Sequence, residues 1–196
     1  MRKMATSPAF PGLFFCFSAM VLLIFVSVSV PVWSKVSFLN ITTDGNAIKF
    51  GVWGYTGSAK GLGYSLQPFG INDSFLNNGA LKNLTYILVF HPVAAGLSFL
   101  SVVFGACGAL NYSRFGAIFM TLVSALAFLI TAIAFAVDMV LWDIVRSRIR
   151  NDGGSANLGN AIWMTLGALV ALIFGSCAAG CGSFGRYRQH RQSHHF

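Results

Sequence analysis

The sequence contains no glutamate and few charged residues of any kind. Charged side chains make up 9% of the 196 residues, against roughly 25% in a typical soluble domain. There is no glycine-rich phosphate loop, and no Ser/His/Asp or Cys/His set that neighbouring helices would bring together. We therefore predict a protein without enzymatic activity, without a cofactor, without a metal site and without an evident small-molecule substrate.

Cysteine is also scarce, and all four cysteines lie in apolar runs, at Cys16, Cys107, Cys177 and Cys181. No disulfide framework is therefore expected outside the membrane. Cys177 and Cys181 are one helical turn apart, but without a nearby histidine or acid they make a poor metal site. They are interpreted as small packing residues, or, at Cys181, as a palmitoylation site.

The chain is instead rich in long apolar runs, at residues 12–31, 88–110, 115–137 and 161–182. Three of these runs contain no ionisable side chain other than cysteine, and the second contains His91 besides its cysteine. At 1.5 Å per residue, about 20 residues cross a hydrocarbon core of roughly 30 Å. The predicted fold is all-α and transmembrane: a single four-helix membrane bundle formed by residues 1–196, with residues 32–87 as its one large loop.

The formal net charge of +8 is spread over the span ends and loops. This distribution indicates contact with anionic lipid headgroups and not with nucleic acid. Transport is poorly supported, because a pathway needs ionisable residues at mid-membrane depth and the runs have none there. A small transporter or channel therefore remains only a third alternative.

Three N-glycosylation sequons lie between the first two runs, at Asn40, Asn72 and Asn83. They favour an outer position for residues 32–87 and a cytoplasmic position for both termini. The numbers of basic residues on the two sides are nearly equal, so they do not decide the orientation. The first run is interpreted as a span, with a cleaved signal peptide as the alternative.

The outer loop carries the pattern of a small antiparallel sheet. Residues 35–41 and 47–53 alternate roughly between apolar and polar side chains, and Asp44-Gly45 between them is a hairpin signal. The third run has no stop at residue 137. Its helix is predicted to continue to Arg150 and to end at the glycines that follow.

His91 opens the second run and Asp138 closes the third. These two runs are joined by a turn of four residues, so they form an antiparallel hairpin that brings both groups to a similar depth. An acid at a span end is costly without a partner, and we therefore predict a His91–Asp138 pair near the outer surface. Such a histidine would titrate near neutral pH. The alternative is that both side chains face interfacial water.

The fourth run has small residues at a strict spacing of four, at Gly167, Ala171, Gly175 and Ala179. This stripe allows a second helix to approach closely. It predicts packing within the chain or, alternatively, a face for self-association.

Four short segments together resemble the fungal PalI family of four-span membrane proteins, which is related to the eisosome-associated family and more loosely to claudins. They are residues 50–55 (Phe-Gly-Val-Trp-Gly-Tyr), 91–97 (His-Pro-Val-Ala-Ala-Gly-Leu), 137–141 (Val-Asp-Met-Val-Leu) and 159–163 (Gly-Asn-Ala-Ile-Trp). The resemblance covers residues 11–187. In the outer loop, the family motif corresponds to Gly51, Trp53, Gly54 and Tyr55.

The resemblance implies a fungal plasma-membrane protein without enzymatic activity. The family implies an accessory role, in which the protein helps sensors of ambient alkaline pH to reach or stay at the membrane. The runner-up is a cortical structural protein of the eisosome type. Other membrane proteins, or further copies of this chain, are the expected partners besides the lipid bilayer.

Overall fold

A computed structural model describes residues 10–43, 46–59, 61, 85–111, 114–151 and 153–192. Its elements, in chain order, are α1 (Phe10–Ser27), β1 (Leu39–Thr43), β2 (Asn46–Phe50), α2 (Phe90–Asn111), α3 (Arg114–Asn151), β3 (Ser155–Leu158) and α4 (Asn160–Gln192). The four helices form a bundle, and the three strands form one small sheet at one end of it.

In the part of the chain that the structure describes, three helical segments are long and apolar enough to cross a membrane: Thr85–Gly108, Ile118–Asn151 and Asn160–Gly180. The fourth apolar helix, Pro11–Ser27, is shorter. The helix of the first run ends at Ser27, four residues before the predicted boundary at Pro31. The reason is local, because a proline disfavours helical backbone at the residue before it and has no N–H to continue the helix.

The helices pack as a ring in which each has two neighbours. Helix α1 packs against α2 and α4, and α3 packs against the same two helices. Glycine makes the closest approaches possible. A Cβ atom on Gly116 of α3 would overlap the backbone of Gly108 on α2, and one on Gly175 of α4 would lie 2.9 Å from Cys16 Sγ on α1.

The sheet is antiparallel with strand order β2-β1-β3. The predicted hairpin is confirmed, although its strands are shifted along the chain from residues 35–41 and 47–53 to Leu39–Thr43 and Asn46–Phe50. After Phe50 the chain turns back, which ends β2 early. The third strand, β3, was not predicted, because its four residues show no clear alternation of apolar and polar side chains and follow a helix-terminating glycine pair.

The largest buried cluster lies beneath the sheet. Leu39, Ile41, Phe50 and Ala156 of the sheet pack on the C-terminal turns of α3, at Leu141, Trp142, Val145 and Ile149. We call the sheet together with residues 141–151 of α3 the head. Burial of these apolar side chains, at about 25 cal/mol per Å², is the main force that holds the sheet on the helices.

The end of α3 matches the predicted terminator. Gly153 has a φ of 82°, its N–H donates to the Arg150 carbonyl, and the Gly154 N–H donates to the Ile149 carbonyl. This is the bond pattern of a Schellman cap, which needs a left-handed residue that glycine supplies without strain. The Arg150 side chain then donates to the Ala156 carbonyl, over 3.2 Å, and so covers part of β3.

Candidate functional site

The structure brings His91 and Asp138 together at the junction of the head and the bundle. His91 lies in the first turn of α2, Asp138 lies in the middle of α3, and His91 Nε2 is 3.0 Å from Asp138 Oδ2. Each residue is only 1% exposed, so neither faces interfacial water. The sheet covers this end of the bundle.

The oxygen atoms in contact with the two imidazole nitrogens can all act as hydrogen-bond acceptors. His91 Nδ1 is 3.1 Å from the Leu88 carbonyl oxygen, which can only accept, so Nδ1 carries a hydrogen. Thr165 Oγ1 is 3.5 Å from Nε2. The hydroxyl of Thr165 donates its one hydrogen to the Ala161 carbonyl at 3.0 Å, which leaves only its lone pairs for the imidazole. Nε2 therefore lies between two acceptors, the carboxylate and the hydroxyl oxygen.

Asp138 Oδ2 is at hydrogen-bond distance from Nε2, although no donor is well aligned with it. The distance still places the two groups in direct electrostatic contact, in an interior where such contacts are strong.

Aromatic rings separate the pair from the sheet. The Phe38 ring lies 5.3 Å from the imidazole in an edge-to-face arrangement, and it stacks on Trp142 with ring centroids 5.8 Å apart. The Phe38 backbone belongs to the sheet region, since its N–H donates to the Phe50 carbonyl and its carbonyl accepts from Gly159. Phe38 is therefore the direct contact between the sheet and the ion pair.

Sequence reasoning missed Phe38, Trp142 and Thr165 as parts of this site. Trp142 has a weak signal, because it follows Asp138 by four residues and so shares its helix face. Thr165 is a hydroxyl in an otherwise apolar run, near the end of α4 that meets the sheet. Nothing in the sequence shows that Phe38 turns inward, because this depends on where the sheet sits.

The outer-loop motif, at Gly51, Trp53, Gly54 and Tyr55, joins the sheet to the end of α1. Gly51 lies against the backbone of Val30, where a Cβ atom would come within 2.6 Å of the Val30 nitrogen. The Val52 N–H donates to Ser29 Oγ over 3.0 Å, in the buried interior. Only glycine permits this close approach of two backbones.

The other motif residues complete the turn. The Trp53 indole N–H donates to the Ser27 carbonyl at 2.7 Å. Gly54 has a φ of 144°, which favours glycine, and its carbonyl accepts from the Gly51 N–H at 2.8 Å. Tyr55 then pairs with Phe50 in a single β-bridge. The motif thus has a structural role in this chain.

A second glycine motif joins the sheet to α4. The N–H groups of Gly159 and Ala161 donate to the carbonyls of Phe38 and Ser37, at 2.7 and 3.0 Å. A Cβ atom on Gly159 would overlap the Ser37 carbonyl. The Asn160 side chain donates to the Lys35 carbonyl at 3.0 Å. The free N–H groups at the start of α4 are in this way partly satisfied by the chain that leads into β1.

The small-residue stripe of α4 faces α1. Cβ atoms on Gly12 of α1 would lie 3.1 Å from the backbone of Ala179, and Gly167 lies near Leu22. Ala171 and Ala179 are buried. This face is therefore occupied within the chain, and packing within the chain is the interpretation that fits it.

The remaining predicted sites are described only in part. Asn40 lies on β1, the central strand, partly buried, and its Oδ1 accepts from Ser37 Oγ at 2.7 Å. Asn72, Asn83 and the side chain of Cys181 lie outside the described residues. Cys16, Cys107 and Cys177 are free thiols, the first buried and the others exposed. Among the described residues no group of three or more His, Cys, Asp or Glu could hold a metal ion.

Comparison with known protein families identifies the family of this chain. A model of the SUR7/PalI family matches residues 8–175, which is most of the chain. A search of curated proteins gave no significant match. The matched region contains the outer-loop motif, the His91–Asp138 pair and most of the four apolar helices. The chain is therefore a membrane protein of the SUR7/PalI family.

Proposed function

We propose that this chain is a four-span, non-enzymatic plasma-membrane protein of the PalI type and an accessory to ambient-pH sensing. In this proposal both termini are cytoplasmic and the head lies outside. The observation that carries it is the buried His91–Asp138 pair, 3.0 Å apart at the junction of the head and the bundle. A histidine is the side chain whose charge changes most readily near neutral pH.

The rest of the interior supports this role over transport. Among the described residues, His91 and Asp138 are the only buried histidine and the only buried acid. The other buried polar side chains are serines and threonines. A pathway through the bundle would need ionisable groups along its length, whereas among the described residues the buried histidine and the buried acid lie together at one end. A pair at the junction of the head and the bundle suits a role in which the conformation of the head depends on the pH at the outer membrane surface.

The test is complementation in fungal cells that lack their own protein of this type. Cells carrying a fluorescent fusion of the full chain would be grown at pH 5 and pH 8 and imaged. The proposal expects an even plasma-membrane signal, normal growth at both pH values, and an alkaline growth defect for His91→Gln. Asp143→Asn is the matched control, because it removes an exposed acid from the same helix, and it should grow like the wild type.

Other outcomes favour the alternatives. Static cortical patches together with normal alkaline growth of His91→Gln would contradict the pH role and favour a structural protein of the eisosome type. Equal alkaline growth with and without the chain would also contradict it.

A further inference from the structure

We infer that His91 and Asp138 form a buried one-proton site, and that loss of this proton loosens the docking of the sheet on the helices. The inference rests on the site proposed above for pH sensing. It adds what the site binds, which is a single proton, and how the state of that proton reaches the head.

The hydrogen-bond partners of the His91 imidazole determine how many protons the pair holds. Nδ1 needs a hydrogen to bond to the Leu88 carbonyl. Nε2 faces the Asp138 carboxylate and the lone pairs of Thr165, and it also needs a hydrogen unless the acid itself is protonated. In both cases the pair holds one proton more than a neutral imidazole and a free carboxylate together. The pair is then neutral overall, as a buried site requires.

Removal of this proton leaves no satisfactory arrangement. If Nδ1 keeps its hydrogen, the lone pair of Nε2 faces the carboxylate at 3.0 Å. If the hydrogen moves to Nε2, the contact with the Leu88 carbonyl is lost. In either tautomer a buried negative charge remains without a cation. From the described residues, the one charged group that acts on Asp138 is His91.

The groups around the pair come from three helices and the sheet region. Helix α2 contributes His91, α3 contributes Asp138, and α4 contributes the neutral Thr165. The sheet region contributes the Phe38 ring, 5.3 Å from the imidazole, within the range of a cation–π interaction. No lysine, arginine or second acid of the described residues is paired with either group.

Phe38 connects the pair to the head. Its ring contacts both His91 and Trp142, while its backbone bonds to Phe50 at the end of β2 and to Gly159 before α4. For water to reach the unpaired carboxylate, the Phe38 ring must move. Because the Phe38 backbone bonds to Phe50 and Gly159, this movement disturbs both strand pairing and the start of α4. The state with an open head, in which water solvates the carboxylate, is favoured as pH rises.

The sign of the effect follows from linkage. The closed head holds the proton of the pair, whereas an open head with a solvated carboxylate no longer needs it. Raising the pH favours the state that binds fewer protons, so the closed-to-open ratio falls as the pH rises.

The experiment is hydrogen–deuterium exchange on the purified full chain in lipid nanodiscs, at pH 6, 7, 8 and 9. Rates are corrected for the intrinsic pH dependence of exchange and read for the amides of residues 36–43, 46–52 and 156–162. The inference expects protection of these amides to fall with pH in the wild type and in the matched control Asp143→Asn. Protection of amides in the middle of α2 and α4 should stay constant.

Two variants remove the proton site. Asp138→Asn should show no pH-dependent loss of protection. His91→Phe combined with Asp138→Leu replaces the pair with apolar side chains, a change that often leaves stability intact or improves it, and should also show none. Constant protection in the wild type would overturn the inference, as would an equal pH-dependent loss in the apolar double variant.

The cellular and the purified-protein tests can fail separately. A pH-dependent head in nanodiscs, combined with normal alkaline growth of His91→Gln cells, rejects the proposed function and supports the proton site. An alkaline growth defect with a pH-independent head rejects the proton site.

Discussion

Trp53 donates its indole N–H to the carbonyl oxygen of Ser27 over 2.7 Å, and so the turn after β2 closes the C-terminal end of α1. The last carbonyls of a helix have no partner within the helix. Here the Trp53 side chain supplies a hydrogen-bond donor for one of these carbonyls. The same turn places Gly51 against Val30, so the head is attached to α1 by both a side-chain bond and a backbone contact.

Substitution of Trp53 tests the side-chain part of this attachment. Trp53→Phe keeps most of the ring packing but removes the N–H, and it should lower stability by about 1 kcal/mol. Trp53→Ala removes the packing as well and should cost about 2–4 kcal/mol, with retention of the protein in the endoplasmic reticulum. Thermal unfolding in detergent and surface delivery measure the two effects. Normal delivery and unchanged melting of Trp53→Ala would contradict the attachment.

Substitution of Gly51 tests the backbone part. Gly51→Ala places a methyl group within 2.6 Å of the Val30 nitrogen, so either Val30 or the turn must move. We expect a loss of about 1–3 kcal/mol, as for overpacked sites in general. The matched control is Gly61→Ala, since no atom lies within 4 Å of the Cβ position there. Equal melting temperatures for the two variants would show that the contact at Val30 is not tight.

Glycosylation of the sheet at Asn40 tests the predicted topology. Asn40 lies on the face of β1 opposite Leu39 and Ile41, which are buried, so we expect a glycan on Asn40 to project away from the helices. Glycosidase treatment should increase gel mobility, and both Asn40→Gln and Thr42→Ala should remove part of that shift. The control Asn157→Gln changes the neighbouring residue across the sheet, which is outside any sequon, and should leave the shift intact. A cysteine placed at Thr42 that reacts with an impermeant reagent only after permeabilisation would contradict an outer head.

Sequence periodicity was sufficient for the helices and for the hairpin. The apolar runs are long, and the sequences Asp44-Gly45 and Gly153-Gly154 are strong local signals, so these elements depend little on tertiary context. β3 was missed because its four residues become a strand only by pairing with β1. Likewise the end of α1 is set by Pro31 and by the turn that receives Trp53, and the apolar run alone continues past it.

The His91–Asp138 site could also be predicted from the sequence only in part. The short connection between α2 and α3 was enough to place His91 and Asp138 at similar depth, because an antiparallel hairpin fixes that relationship. Their burial was not predictable, since it comes from Phe38 and Trp142, whose positions depend on how the sheet folds over the bundle. Thr165 enters the site from a helix that is distant in sequence.

The central claim is that His91 and Asp138 interact through a shared proton, and a double-mutant cycle measures this most directly. His91→Gln, Asp138→Asn and the double variant would be unfolded in detergent at pH 6 and pH 9. Groups in direct contact couple by about 0.5–3 kcal/mol, and we predict a favourable coupling in this range at pH 6 that becomes much smaller at pH 9. Additive effects of the two substitutions at both pH values would contradict the account.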